Sequence, residues 1–218
     1  MKSIVILISG RGSNMQAILE AGLPVKIAAV ISSNPNAHGL EIARQHGLPA
    51  HALNHREHET REEFDTALAA RIDGFNPDLV VLAGFMRILT PNFVNRYNGR
   101  LVNIHPSLLP AFTGLNTHAR ALSEGVKIHG CTVHFVTPNL DKGPIIAQAA
   151  VPVLPGDTEE TLGARVLEQE HNIYPQAIRW FAEGRLSVTP DCNVILQNQQ
   201  TDDMALRETA LRSPWEAQ

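Results

Sequence analysis

Apolar residues run without a break from Ile4 to Ile8 and stop at Ser9-Gly10. Such a run, bounded by a turn, is the pattern of a strand covered on both faces in a parallel sheet. Ser13 to Ala21 then reads as a helix, with Met15, Ile18 and Leu19 on its inner face and Gly22 at its end. Val25 to Ile31 is a second strand, followed by a helix near Leu40 to His46; Asn54 to Asp73 contains a further helix of mixed charge. Asp78 to Ala83 (DLVVLA) is another buried strand and Leu101 to His105 a shorter one. This alternation predicts an α/β fold with a doubly wound, mostly parallel sheet.

The second half changes character. Cys131 to Thr137 and Pro144 to Val153 read as strands joined by the turn-rich link Pro138-Asn139-Leu140-Asp141-Lys142-Gly143. A link that short favours antiparallel pairing. Asp157 with Glu160 reads as a capping box opening a long helix to about Phe181, with Pro175 expected to kink it. From Pro190 the composition turns polar (QNQQTDD), so residues 190–218 are expected to be a loosely held tail behind a domain of residues 1–189. That domain divides near residue 100 by its change of pattern, and no internal repeat is visible.

A chain of 218 residues with 44% hydrophobic residues can bury a core without disulfides or structural metal. Its formal charge of -4 argues against a general nucleic-acid binder. An anionic ligand must therefore be held by local donors. Cys131 and Cys192 are far apart and form no C-x-x-C pair, which predicts two buried thiols in a reducing compartment. Met1-Lys2-Ser3 leads straight into a strand, with no signal-like segment, and no run is long enough for a membrane helix. The expectation is a cytoplasmic chain with neither nucleic acid nor membrane as partner.

Candidate chemistry begins at Ser9-Gly10-Arg11-Gly12-Ser13-Asn14, between the first strand and the first helix. Backbone N–H groups at a helix start bind phosphate, and glycines let the ligand approach. Met15 stands where a dinucleotide fold wants a third glycine, and Ser32-Ser33-Asn34 lacks an acidic ribose reader. The loop therefore suits one phosphate, not NAD or ATP. The plainer alternative is a tight turn with Ser13 as N-cap.

Asn103 and His105 lie two apart on a strand that stops at Pro106, so they share a face at a carboxyl-terminal sheet edge. An amide beside an imidazole makes a pair of donors for an oxyanion. No serine or cysteine stands out as a nucleophile, which makes direct transfer the simpler chemistry. Asp141 is by itself a turn former; reaching His105, it would keep a donor proton on the imidazole. Glu170 falls on the apolar stripe Leu162, Val166, Ile173, Ala177 of the long helix. A carboxylate there needs a ligand or a partner, for which Arg165 is the candidate. His38, His46, His51, His55 and His58 show no metal-ligand spacing, and no metal is expected.

Together these segments resemble the folate-dependent formyltransferases. The resemblance runs from Ile4 to about Arg185 and is carried by ISGRGSNMQA (8–17), LAGFMRIL (82–89), LVNIHPSLLPAF-TG (101–114), GCTVHFVTPNLDKGPII (130–146) and QEHNIYP (169–175). The N-I-H-P-S-L-L-P run followed by the D-x-G-P-I turn is specific to folate formyl transfer, and GRGSN points to the glycinamide ribonucleotide branch. The resemblance implies a Rossmann-like formyltransferase fold, with a phosphate-binding half near 1–100 and a folate and catalytic half at 101–189. It implies 10-formyltetrahydrofolate as co-substrate, glycinamide ribonucleotide as acceptor, and a monomer or homodimer working in purine synthesis. Asn103, His105 and Asp141 would be catalytic. Gly12, Ser13 and Asn14 would hold the phosphate, with Glu170 on the ribose side. Met86, Arg87, Ile88, Leu89 and Asn103 would meet the folate, and Arg61 its glutamate tail. The 138–143 loop would lie near the pterin, Leu108 to Arg120 would be a flap, and His134 would support the site. Leu167 and the polar tail are departures from some members.

A formyltetrahydrofolate hydrolase would use the same triad on water but usually carries an added N-terminal domain. A methionyl-tRNA formyltransferase would need a longer chain with an RNA-binding domain. A non-catalytic folate or nucleotide sensor would not need Asn103, His105 and Asp141 intact.

Overall fold

The computed structural model describes residues 1–189 and 191–197. Two compact units emerge, one of residues 1–104 with 135–139, the other of residues 105–134 with the described residues from 140 onward. The sheet is mostly parallel with helices, and antiparallel pairing comes toward the C-terminus, as the alternation of patterns predicts.

The first unit is built on β1 (Lys2–Ile8), β2 (Val25–Ser32), β3 (Ala50–Ala52), β4 (Leu79–Leu82) and β5 (Leu101–His105), whose last residue belongs to the second unit. The order is β3-β2-β1-β4-β5, all parallel. Chain order reverses at β1, so the crevice beyond the carboxyl ends of β1 and β4 is the switch point where open α/β sheets bind ligands. Odd-numbered β1 residues Val5 and Leu7 join a core with Ile31, Phe64, Leu68, Ile72, Val80, Phe93 and Tyr97. The even-numbered Ile4, Ile6 and Ile8 are equally buried on the opposite face. Continuous apolar strands thus have cover on both sides.

The helices start where their caps are. Thr60 accepts from Glu63 N to open α3 (Arg61–Asp73), and α2 spans His38–Gln45. Ser13 is not a cap: Gly12 takes that position at φ 83 with no side-chain bond, and Ser13 is the first residue of α1 (Ser13–Glu20). Leu19 is only half-buried, while Asn14, Met15 and Ile18 face inward. β3 and α4 (Pro91–Arg96) were not legible as periodic patterns, since three and six residues hold too little of one. The α4 signal is its cap, Thr90 followed by Pro91.

In the second unit β6 (Ile128–Phe135, the last residue lying in the first unit) pairs antiparallel with β7 (Ile145–Pro152). Helices α5 (Thr117–Ser123) and α6 (Glu159–Ala182) pack against each other, and α6 covers β7. The expected Asp157–Glu160 box is corrected by one residue: Thr158 caps α6 and exchanges bonds with Thr161. Asp157 instead turns back to Leu154 N and pairs with both terminal nitrogens of Arg165. That bidentate pairing holds the Asp157 carboxyl well below the usual range. It also removes Arg165 as the expected partner of Glu170. Pro175 lies inside α6, which continues to Ala182.

Two further expectations need correction. Cys192 is exposed, and only Cys131 is buried. Within the segment read as a loose tail, β9 (Val194–Leu196) pairs antiparallel with β8 (Leu186–Val188), because backbone pairing does not need a long apolar run. The rest of the expected tail, from 198 to 218, lies outside the described residues.

Candidate active site

In the first unit the loop after β1 is shaped by two glycines that touch. A Cβ on Gly12 would sit 2.8 Å from Gly39 Cα, and one on Gly39 would meet Ile8 Cδ1 at 2.6 Å. Gly39 N also donates to Gly10 O at 3.1 Å, tying the start of α2 to this loop. Gly12 at φ 83 lets the chain turn into α1 with backbone N–H groups at its start, an arrangement suited to an anion. Asn14 is buried and Ser13 half-buried.

Ser9, at the end of β1, was not singled out by the sequence reading. Its hydroxyl accepts from Met86 N at 2.9 Å and lies 2.8 Å from Ser33 Oγ. It therefore joins the loops after β1, β2 and β4 at the switch point. A serine after an apolar strand gives no local sign of such a role. In the loop after β4, Met86 is 73% and Ile88 61% exposed, while Arg87 and Leu89 are half-buried. Exposed apolar side chains beside a switch-point crevice fit a ligand with a flat apolar ring. Arg61 opens α3 and is exposed.

Asn103 and His105 are both on β5, two residues apart, Asn103 half-buried and beside Leu82 at the carboxyl end of β4. His105 belongs to the second unit and is buried. Its Nδ1 lies 3.6 Å from Asp141 Oδ2. Its Nε2 lies 2.9 Å from the Phe112 carbonyl, which can only accept, so Nε2 carries a proton. Asp141 sits in the β6–β7 turn at φ 52, a conformation aspartate tolerates, and its Oδ2 accepts from Gly114 N at 2.8 Å. His134 Nε2 stands 4.0 Å from the other oxygen, Oδ1. The turn aspartate and the histidine partner are thus one residue: the turn aims the carboxylate at the imidazole.

Glu170 is buried on α6 with Leu162, Val166, Ile173 and Ala177, as the stripe predicts. Its charge helps push the buried Cys131 thiol upward, after burial itself. Among the described residues, no cluster of three or more His, Cys, Asp or Glu is placed to hold a metal ion. None of their helices is long and apolar enough to cross a membrane.

His118 and His129 were also missed. Their rings meet at 3.2 Å, Nδ1 to Nε2, and His129 is buried. Burial, then the neighbouring His118 and His105, pushes His129 down to about 4 from 6.5. The unfolded chain therefore takes up a proton between those values that the folded chain refuses, and stability falls as pH drops through that window. His129→Gln is expected to flatten the fall in melting temperature between pH 6.5 and 4. Equal slopes in the two proteins would rule out His129 as the source.

The geometry describes a glycine loop at the switch point and a buried His105–Asp141 pair, and the chain belongs to the formyl transferase family, whose model matches residues 2–178. It is 55% identical to phosphoribosylglycinamide formyltransferase of Escherichia coli strain K12 over 190 residues, 85% of this chain and 90% of that protein. It is also 46% identical to the human trifunctional purine biosynthetic protein adenosine-3 over 189 residues, 85% of this chain but 19% of that one. Among solved structures, glycinamide ribonucleotide transformylase 1 of Symbiobacterium toebii superposes with a TM-score of 0.87 at 50% identity, covering 90% of this chain and 94% of that chain. A formyltetrahydrofolate deformylase from Pseudomonas syringae has a TM-score of 0.82 at 29% identity, covering 89% and 65%.

Proposed function

We propose that this protein transfers the formyl group of 10-formyltetrahydrofolate to the amine of glycinamide ribonucleotide, a step of purine synthesis. The observation that carries this reading is the buried His105–Asp141 pair, 3.6 Å apart, with Asn103 on the same strand as the imidazole. The similarity to proteins named for that activity supports the choice of acceptor.

The amine attacks the formyl carbon, and the carbonyl oxygen gains negative charge. Asn103 and His105 donate to it, each worth about 3 kcal/mol in the transition state. Asp141 orients the imidazole and holds a water that carries the amine proton to the departing folate nitrogen as the old C–N bond breaks. Gly12, Ser13 and Asn14 bind the ribonucleotide phosphate, and Glu170 the ribose. Met86, Arg87, Ile88 and Leu89 receive the folate, with Arg61 near its glutamate tail; the 108–120 segment is the flap, and His134 supports Asp141. Residues 1–189 form the catalytic domain of a cytoplasmic monomer or homodimer.

The likeness to a deformylase keeps a second reading in view, attack by water in place of the amine. Tetrahydrofolate release from 10-formyltetrahydrofolate, followed with and without glycinamide ribonucleotide, separates the two. Release is expected only with the ribonucleotide. Equal release without it would make the protein a hydrolase, and none in either case would make it a binding protein.

A further inference from the structure

The loop leaving β5 reaches both members of the buried pair. Phe112 O takes the Nε2 proton of His105 at 2.9 Å, and two residues on, Gly114 N donates to Asp141 Oδ2 at 2.8 Å. Phe112 holds its carbonyl in place with a left-handed backbone, φ 53, which a β-carbon disfavours. Something must offset that strain. The ring lies edge-on to His129, centroids 5.7 Å apart at 81°, and the Arg120 guanidinium sits 5.5 Å from the ring centroid. Arg120 is itself tied to the loop by a 2.6 Å bond to Thr113 O.

We infer that Phe112 is a positioning residue for the reaction: its ring, held by His129 and Arg120, keeps the carbonyl that anchors His105 by Nε2 and so directs Nδ1 toward Asp141. This rests on the proposed function for its consequence in turnover, but not for the ring geometry. Losing the ring frees the backbone to leave the left-handed region, and the carbonyl swings off Nε2. The imidazole can then rotate, and Nδ1 no longer faces the carboxylate. The ionisable groups around the anchor are Asp141, His118, His129 and Arg120, with His134 facing Asp141. His129 is pushed down to about 4, so near neutral pH it meets Phe112 and Arg120 as an uncharged ring.

The test compares Phe112→Gly, which tolerates the same backbone without the ring, with Phe112→Tyr, which keeps the ring. Steady-state kinetics of formyl transfer and ring-nitrogen NMR of His105 are the two readouts. Phe112→Gly is expected to lower kcat by about 100-fold, the usual effect of a slightly misplaced group. Its KM for glycinamide ribonucleotide should stay within about twofold, and the pH profile of kcat should move. The NMR spectrum should lose the hydrogen-bonded position of the Nε2–H signal, and Phe112→Tyr should restore all three. Wild-type kcat, profile and Nε2–H signal in Phe112→Gly would overturn the inference. Should the glycine variant not fold, Phe112→Leu carries the same comparison. If the wild type transfers no formyl group, the proposed function fails, while the NMR comparison still decides for or against the anchor.

Discussion

Asp141→Asn is expected to lower ribonucleotide-dependent formyl transfer by up to about ten-thousandfold, by analogy with the loss when an orienting aspartate beside a catalytic histidine becomes asparagine. The substitution is clean. Asparagine accepts the left-handed backbone that Asp141 adopts at φ 52, and its amide oxygen can still take the Gly114 N–H at the same 2.8 Å position. What disappears is the negative charge 3.6 Å from His105 Nδ1. The imidazole then loses the carboxylate that orients it, and the pH profile of turnover shifts. The KM for the ribonucleotide should hardly change, since Asp141 has no part in the glycine loop after β1. An unchanged rate with an unchanged profile would remove Asp141 from the mechanism.

Gly12→Ala is expected to raise the KM for glycinamide ribonucleotide at least about 100-fold, and to cost about 3 kcal/mol of stability from backbone strain and overpacking together. Gly12 sits at φ 83, and the added methyl would lie 2.8 Å from Gly39 Cα, which is backbone and cannot step aside. The loop must open away from α2, taking the N–H groups of residues 12–14 with it. The two effects separate the loop's possible roles. A turn that served only the fold would lose stability, but the folded fraction would keep its KM. Isothermal titration with the ribonucleotide, alongside a thermal melt, reads both.

Much of the fold could be read in advance because buried parallel strands write themselves as unbroken apolar runs. Ile4 to Ile8 and Leu79 to Leu82 have both faces covered, so every side chain in them is apolar. Short elements left no such trace. Ala50–Ala52 and Pro91–Arg96 exist because pairing with β2 and a Thr90 cap hold them, which are tertiary and local-cap facts, not periodicity. Glu170 was legible because helical spacing alone puts it among buried neighbours. Its assumed partner was not, because Arg165 is claimed by Asp157 from the turn before the helix.

The sequence by itself determined that Asn103 and His105 share one face of β5, since alternate residues of a strand point the same way and Pro106 ends it. For the GRGSN loop it offered two readings, a seat for a single phosphate or a tight turn. For Asp141 it offered only a turn residue, and its place beside His105 came from a family resemblance. Only the tertiary structure brought that carboxylate to 3.6 Å from the imidazole, put Gly114 N on one and Phe112 O on the other, and set Ser9 to bridge three loops. The reason is physical: spacing along a chain decides which way side chains point within one element, whereas distances between elements depend on how turns and packed rings direct them.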